Sequence, residues 1–181
     1  MSIEQFIAQS EGQWISMRSG HSLAFKQFEQ IISKITVKIL EPNDPKVLNL
    51  IRSRAERIRK YISPFCIKWE SDSDWEEETK HELSYGSSIL IPIPKNNQNG
   101  FILRSLGYAE PIPSFSTYSF LNDGTFIIKT KYEQTIAEER IWFLSKNVRC
   151  RSSVIYASNT NGVLQTSYAS ELKIINNQKV S

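Results

Sequence analysis

The chain has 181 residues, of which 40% are hydrophobic and 23% are charged, so it can bury the core of one ordinary domain. Its net charge of +3 is too small to indicate nucleic-acid binding by itself. Two cysteines without CxxC spacing and two distant histidines argue against a disulfide framework and a metal site. No segment approaches the roughly 18 apolar residues of a membrane span, and no nucleotide-binding or serine-hydrolase motif occurs.

Two segments carry helical signals. Ser2 and Gln5 predict a capping box at the start of a short N-terminal helix. Asp44 and Pro45 predict the start of a second helix, which we expect to run to about Tyr61. The arginines of this second helix could suggest binding to nucleic acid or to a membrane surface, but an ordinary solvated helix fits the pattern better.

The rest of the chain favours β-strands. Residues 31–40 alternate between apolar and polar side chains, as in a half-buried strand, and Asn122-Asp123-Gly124 is a hairpin-turn signal. About ten short strands are predicted at regular spacing. With one early and one inserted helix, they predict an antiparallel barrel or sandwich formed by one domain, residues 1–181. Small closed barrels commonly hold one ligand inside.

The segment EERIWFLSKNVRCRSSVIY, residues 138–156, predicts two strands joined by a short turn at 145–147. Alternation along the second strand places Arg149, Arg151 and Ser153 on one face. Two guanidinium groups about 6.6 Å apart suit a ligand with two carboxylates. The first strand adds carboxylates and an aromatic residue. The hairpin therefore predicts the wall of a polar ligand site, with a solvated surface hairpin as the alternative.

Several blocks of the sequence resemble one known family, the S/U-type phycobiliprotein chromophore lyases. They are FIAQSEGQWISMRSGHSLAFKQFE, KHELSYGSSILIPI, LRSLGYAE, YEQTIAEERIWFLSKNVRCRSSVI and SYASELKI, and they span nearly the whole chain. Members of this family attach linear tetrapyrroles, or bilins, to light-harvesting antenna proteins. Residues 45–61 and 71–82 depart from the family pattern and look like inserted sequence.

The resemblance implies a lipocalin-like antiparallel barrel of ten strands, similar to the fatty-acid-binding proteins, with an N-terminal helix and one inserted helix. It implies that one bilin, phycoerythrobilin or phycocyanobilin, binds noncovalently as the substrate, with no permanently bound cofactor. The bilin would then be joined by a thioether to a cysteine of an apo-phycobiliprotein subunit. Members occur as homodimers or as heterodimers with related lyases, in cyanobacterial cytoplasm or in the plastid stroma of red algae and cryptophytes.

The chemical groups of a bilin assign expected roles to particular residue types. The two propionates call for arginine, which forms bidentate charge-assisted hydrogen bonds. The candidates are Arg18, Arg149 and Arg151. The extended π-system calls for an aromatic wall. The candidates are Trp69, Trp75 and Trp142.

The pyrrole nitrogens of a protonated bilin call for a carboxylate inside the barrel. Glu171 and Glu138 are the candidates, and Glu139, of opposite parity to Glu138, is less favoured. A buried glutamate with a raised pKa could donate the proton that makes the bilin electrophilic toward a thiol, so both candidates are also catalytic candidates. Ser152 or Ser153 would bond a lactam or propionate oxygen, and parity favours Ser153.

Two further interpretations follow from the same residues. The attacking thiol belongs to the acceptor protein, so neither Cys66 nor Cys150 is expected to act. The alternative function is a noncatalytic lipocalin-like carrier of a bilin or a fatty acid. A fatty acid would require one internal arginine, whereas this sequence offers three arginines and two glutamates as candidates.

Overall fold

The computed structural model of the protein describes residues 1–53, 58, 60–72, 85–105, 114–160 and 162–175. These residues form two helices and ten strands: α1 (Ile3–Ser10), β1 (Gly12–Ser22), β2 (Gln27–Ile39), α2 (Pro45–Arg52), β3 (Phe65–Asp72), β4 (Tyr85–Pro94), β5 (Asn99–Arg104), β6 (Ser114–Phe120), β7 (Phe126–Lys131), β8 (Thr135–Ser145), β9 (Val148–Ala157) and β10 (Val163–Lys173). Each strand pairs antiparallel with its neighbours in sequence, and β1 pairs with β10 to close the sheet. The predicted ten-stranded lipocalin-like barrel is confirmed.

Helix α1 closes one end of the barrel. The predicted capping box is formed, because Ser2 Oγ accepts a hydrogen bond from the Gln5 amide while the Gln5 side chain accepts one from the Ser2 amide. The apolar side of the helix points inward. The Phe6 ring stacks on Phe126, with 4.3 Å between centroids, and meets Phe143 edge-on. The end of the barrel next to α1 is therefore filled by aromatic side chains.

Helix α2 is shorter than predicted. It begins at the expected cap, Asp44, but ends at Arg52, and Tyr61 is not helical. In its last turn the Ser53 hydroxyl donates to the Leu50 carbonyl. Residues 54–57 and 59, to which the prediction also extends, lie outside the described residues. The helix packs on outward-facing apolar residues of β4 and β5, so it lies outside the barrel. Within the described residues, no helix is long and apolar enough to cross a membrane.

A β-bulge in β8 decides which of its residues face the barrel interior. Phe143 pairs with Arg149, but Ser145 pairs with Val148, so Leu144 is an extra residue without a partner across β9. Its side chain is 66% exposed. Because successive side chains alternate between the two faces of a sheet, one extra residue reverses the face of every residue on the far side of the bulge.

Replacing Phe6 by alanine is expected to lower the free energy of unfolding by about 3–5 kcal/mol, because the missing ring leaves a cavity among buried aromatic residues. Urea unfolding followed by circular dichroism measures this change. Leu144→Ala, at the exposed bulge, is the control and should change the free energy by less than about 0.5 kcal/mol. Equal effects of the two substitutions would contradict the role of α1 as the apolar closure of the barrel.

Candidate functional site

The barrel interior next to α1 contains a cavity of about 50 Å³. Pockets that enclose small molecules commonly measure ~300–1,000 Å³, so this cavity is too small to enclose such a ligand by itself. Most of the lining is apolar. The charged residues of the lining are Arg104, Glu139, Arg149 and Arg151.

The deepest polar contact joins Arg149 of β9 to Glu171 of β10. The two residues are paired across the strands, and Arg149 Nε donates to Glu171 Oε2. Both side chains are almost completely buried, with 2% and 1% exposed. The Arg149 guanidinium also lies 4.3 Å from the centre of the Trp14 ring, and Ser16 donates to Glu171 Oε1 at 3.4 Å. Glu171 therefore accepts bonds from two strands besides its own.

Three more charged residues extend this pair into an alternating series. Arg151 Nε lies 3.5 Å from Glu171 Oε1, and Arg151 Nη1 lies 3.3 Å from Glu139 Oε2. Arg104 Nη1 then lies 3.5 Å from Glu139 Oε1. We call the five side chains Arg149, Glu171, Arg151, Glu139 and Arg104 the interior ion network. Among these five side chains, the three guanidinium groups outnumber the two carboxylates by one positive charge.

The surroundings of Glu171 keep its carboxylate ionised. Burial by itself raises the pKa of a carboxyl group, but the positive charges of Arg151 and Arg149 and the hydrogen bonds from Arg149 and Ser16 hold the pKa of Glu171 below its ordinary value of 4.5. The expectation that Glu171 has a raised pKa is therefore wrong. The carboxylate is placed to accept hydrogen bonds and to stabilise a positive charge.

Six of the ten predicted site residues face the interior, namely Arg18, Trp69, Arg149, Arg151, Ser153 and Glu171. Arg18 lies on the same face of β1 as Trp14, as predicted, and its Nη2 atom is 3.1 Å from Glu29 Oε1. The Ser153 and Ser167 hydroxyls are 2.7 Å apart. The parity argument is confirmed for β9.

Glu138 does not face the interior, so the prediction that it supplies an interior carboxylate is wrong. Its oxygens lie 3.0 Å from Lys129 Nζ and 2.9 Å from Arg140 Nη2 on the outer face of the barrel. The bulge at Leu144 is the physical reason, because it moves Glu139, and not Glu138, to the position opposite Ser153. Glu139 occupies the interior position expected for its neighbour.

The predictions for two other residues are corrected in the same way. Trp142 lies on the outer face of β8, where its ring is 6.2 Å from that of Tyr168. Ser152 pairs with Arg140 and Tyr168, both of which face outward, so its side chain points away from the interior. Neither residue can contact a ligand held inside the barrel. Trp75, the remaining prediction, lies outside the described residues.

Both cysteines of the sequence lie on the outer side of the sheet. Cys150 is buried beneath Tyr168, whose hydroxyl donates to the Cys150 sulfur at 3.2 Å. Cys66 pairs with Ile89, which belongs to the apolar cluster under α2. Burial raises the pKa of the Cys66 thiol. The sheet therefore separates both sulfur atoms from the interior ion network.

The sequence argument missed two residues of the network, Glu139 and Arg104. Glu139 was less favoured because the bulge was not recognised. Arg104 has no charged neighbour close in sequence and meets Glu139 only because β5 and β8 face each other across the interior. The sequence of β5 gives no signal for the inward direction of Arg104, because both parities are apolar, with Ile102 in the core of the barrel and Leu103 in the cluster under α2.

The chain is similar to proteins of one family over nearly its whole length. A family model described as CpeS-like protein matches residues 2–174. Chromophore lyase CpcS/CpeS 3 of Trichodesmium erythraeum is 44% identical over 175 residues, which cover 96% of this chain and 99% of that protein. Chromophore lyase CpcS/CpeS of Thermosynechococcus vestitus is 36% identical, covering 96% and 93%. The solved structure of the S-type phycobiliprotein lyase CPES from Guillardia theta has a TM-score of 0.81 at 32% identity, covering 97% and 94%.

Replacing Glu171 by glutamine is expected to destabilise the protein by about 3–5 kcal/mol at neutral pH, because it leaves the buried Arg149 without its carboxylate partner. Since the pKa of Glu171 is lowered on folding, the stabilisation is present above its ordinary pKa of 4.5 and is lost as the pH falls through the lowered pKa. The stability difference between the two proteins should therefore shrink under acid conditions.

Urea unfolding over a series of pH values measures this difference. Glu133→Gln, at an exposed turn position, is the control and should follow the wild-type protein at every pH. A difference between wild type and Glu171→Gln that stays constant as the pH falls below 4.5 would contradict an ionised Glu171.

Proposed function

The chain belongs to the CpeS-like family of S/U-type phycobiliprotein chromophore lyases, and from this premise we propose that it binds one bilin noncovalently inside its barrel. The bound bilin is then transferred to a cysteine of an apo-phycobiliprotein subunit. The observation that carries the proposal is the interior ion network. A row of buried arginines and glutamates is costly to build around an apolar ligand and suits one that carries both anionic and N–H groups.

The polar groups of a bilin match the two kinds of charge in the network. Its pyrrole N–H groups donate hydrogen bonds, and the carboxylates of Glu139 and Glu171 accept them. Its propionates accept hydrogen bonds, which guanidinium groups donate in a planar, bidentate geometry. The net positive charge of the network offsets the charge of one propionate. A fatty acid would satisfy one arginine and leave the glutamates facing a hydrocarbon chain.

Trp69 supports the proposal from the opposite wall of the barrel. It is half-buried, packs on the apolar core, and pairs with Gly86 of β4. A Cβ atom at position 86 would lie 2.3 Å from Trp69 Cζ2, so the indole occupies space that only glycine leaves open. An indole on the interior side of the sheet suits the extended π-system of a tetrapyrrole.

Attachment adds the acceptor thiol across the ethylidene double bond of ring A. The sulfur bonds to the exocyclic carbon and the hydrogen to the ring carbon, so no oxidant or further reactant is needed. A protonated tetrapyrrole is the better electrophile. The carboxylate of Glu171, whose pKa is lowered by Arg151 and Arg149, favours that protonated form as a counter-ion, and Glu139 offers a second acceptor beside it. In this proposal the glutamates keep a proton on the bilin and do not act as its source.

Two features of the proposal concern the setting of the reaction. The lyase needs the bilin and the newly made acceptor subunit in one compartment, which is the cyanobacterial cytoplasm or the plastid stroma of red algae and cryptophytes. The oligomeric state, a homodimer or a heterodimer with a related lyase, stays a prediction. Sedimentation of the purified protein alone and with a related lyase measures it.

Titration of the purified protein with phycoerythrobilin and with phycocyanobilin is expected to sharpen and red-shift the visible band of at least one of them. Adding an apo-phycobiliprotein subunit should then yield bilin that stays on the subunit after acid denaturation, whereas a subunit whose cysteines are blocked should yield none. Spectral change without transfer to any cognate subunit would identify a carrier. No spectral change with either pigment would contradict the proposed site.

The neighbouring residues Glu139 and Glu138 provide a matched test of the interior face. Glu139→Gln is expected to weaken bilin binding about 10-fold or more, because a charged acceptor for the bilin N–H groups is lost. Glu138→Gln, one residue away on the outer face, should leave binding within about twofold. Absorption titration gives both dissociation constants, with thermal unfolding as a check that both variants fold. A larger effect of Glu138→Gln would overturn the assignment.

A further inference from the structure

Arg104 ends the interior ion network with hydrogen-bond donors that no described residue satisfies. Arg104 is 9% exposed, and its Nε and Nη1 atoms have no hydrogen-bond partner among the described residues. Its ion pair with Glu139 is 3.5 Å long. A buried cationic donor without an acceptor is costly, so an acceptor is expected at this position when the site is in use.

A second unsatisfied donor lies on the next strand. Ser114 of β6 pairs directly with Arg104 of β5, and its buried hydroxyl has no hydrogen-bond partner in the described part of the chain. Residues paired in this way have Cβ atoms about 4.5–5.5 Å apart. Ser114 has the same parity as Ser116, which is buried in the interior, so both donors face inward. One acceptor group placed between the two strands can bond both side chains.

The charge of the network indicates that this acceptor is an anion. Three guanidinium groups face two carboxylates, and Arg151 lies between the two carboxylates, with one on each side. Among the described residues, the excess positive charge of the network therefore falls at an end of the series, on Arg149 or on Arg104. A singly charged planar anion such as a carboxylate matches both this charge and the donor geometry of a guanidinium.

Of the two ends, Arg104 is the one that a ligand can engage. Arg149 is 2% exposed, is bonded by Glu171, and has its guanidinium over the Trp14 ring. It has one unsatisfied nitrogen, whereas Arg104 has two together with the Ser114 hydroxyl. Arg104 also lines the interior cavity.

We propose that Arg104 and Ser114 form a carboxylate subsite that takes one of the two propionates of the bilin, so that the deep part of the barrel accepts a single carboxylate. The inference rests on the proposed function for the identity of the ligand. In this arrangement Arg149 and Arg151 bind the carboxylates of Glu171 and Glu139 and do not bind the propionates. The second propionate is then left to the more exposed part of the interior, where Arg18 lies.

The test combines substitutions of Arg104 with esterification of the bilin propionates, so that each protein variant is measured with each form of the ligand. Binding of the bilin diacid and of its dimethyl ester is measured by absorption titration to wild type, Arg104→Gln and Arg104→Lys. Arg104→Gln is expected to weaken binding of the diacid about 10-fold to 100-fold and binding of the diester by much less. Arg104→Lys, which keeps the charge, should recover part of the loss. Ser114→Ala should also weaken binding of the diacid more than binding of the diester, but by a smaller factor than Arg104→Gln.

The two monomethyl esters identify the propionate. One of them should respond to Arg104→Gln like the diacid and the other like the diester. An equal loss for the diacid, both monoesters and the diester would overturn the subsite, because it would mean that Arg104 acts only by positioning Glu139. Arg140→Gln is the matched control, since Arg140 also pairs with a glutamate of β8 but on the outer face. It should leave the dissociation constants of all the ligands unchanged.

A probe other than the bilin separates this inference from the proposed function. Free propionate is expected to raise the melting temperature of the wild-type protein and to leave that of Arg104→Gln unchanged, because it binds only the intact subsite. Failure of wild type to bind any bilin would refute the proposed function while this stabilisation still supported an anion subsite. Equal responses of both proteins to propionate would refute the subsite.

Discussion

The organisation of the barrel interior depends on the cost of burying charge. An isolated ion loses several kcal/mol when it leaves water, and a buried pair offsets that loss only when geometry and further hydrogen bonds are favourable. The interior ion network meets this requirement by alternating guanidinium and carboxylate groups drawn from β5, β8, β9 and β10. Closure of the barrel is what brings these strands together, since residues far apart in sequence become neighbours only in the closed sheet.

The aromatic residues beside α1 belong to the same arrangement. They exclude water from one end of the interior, where Arg149 lies against Trp14. In the drier surroundings each ion pair is stronger, and each unsatisfied donor is more costly. The protein thus combines a firmly held pair, Arg149 with Glu171, and a more weakly held end at Arg104. The same series of ion pairs therefore fixes the side chains of Arg149 and Glu171 in place and leaves donors of Arg104 without a close acceptor among the described residues.

Much of the fold and about half of the site could be predicted from sequence, for reasons that lie in strand geometry. The capping box, the ten strands and the placement of Arg149, Arg151 and Ser153 depend on local patterns, which the sequence displays directly. The predictions for Glu138 and Trp142 were wrong because a single bulge reverses the faces of β8. The bulge residue is Leu144, and because it is neither glycine nor proline, the sequence gives no signal of a bulge there. The pairing of Arg104 with Glu139 depends on contacts across the barrel, which no local pattern encodes. The length of α2 was overestimated because an arginine-rich periodic segment continues past its end.

The position of the two cysteines has a consequence for repeated use of the protein. A bilin activated for attack by a thiol would alkylate any cysteine of the lyase that it could reach, and the first such event would convert the catalyst into a dead-end conjugate. Cys66 and Cys150 both lie on the far side of the sheet from the interior ion network, and one of them is capped by Tyr168. Under the proposed function, the barrel wall therefore keeps a bilin held inside apart from both cysteines, and the bilin stays available for the acceptor.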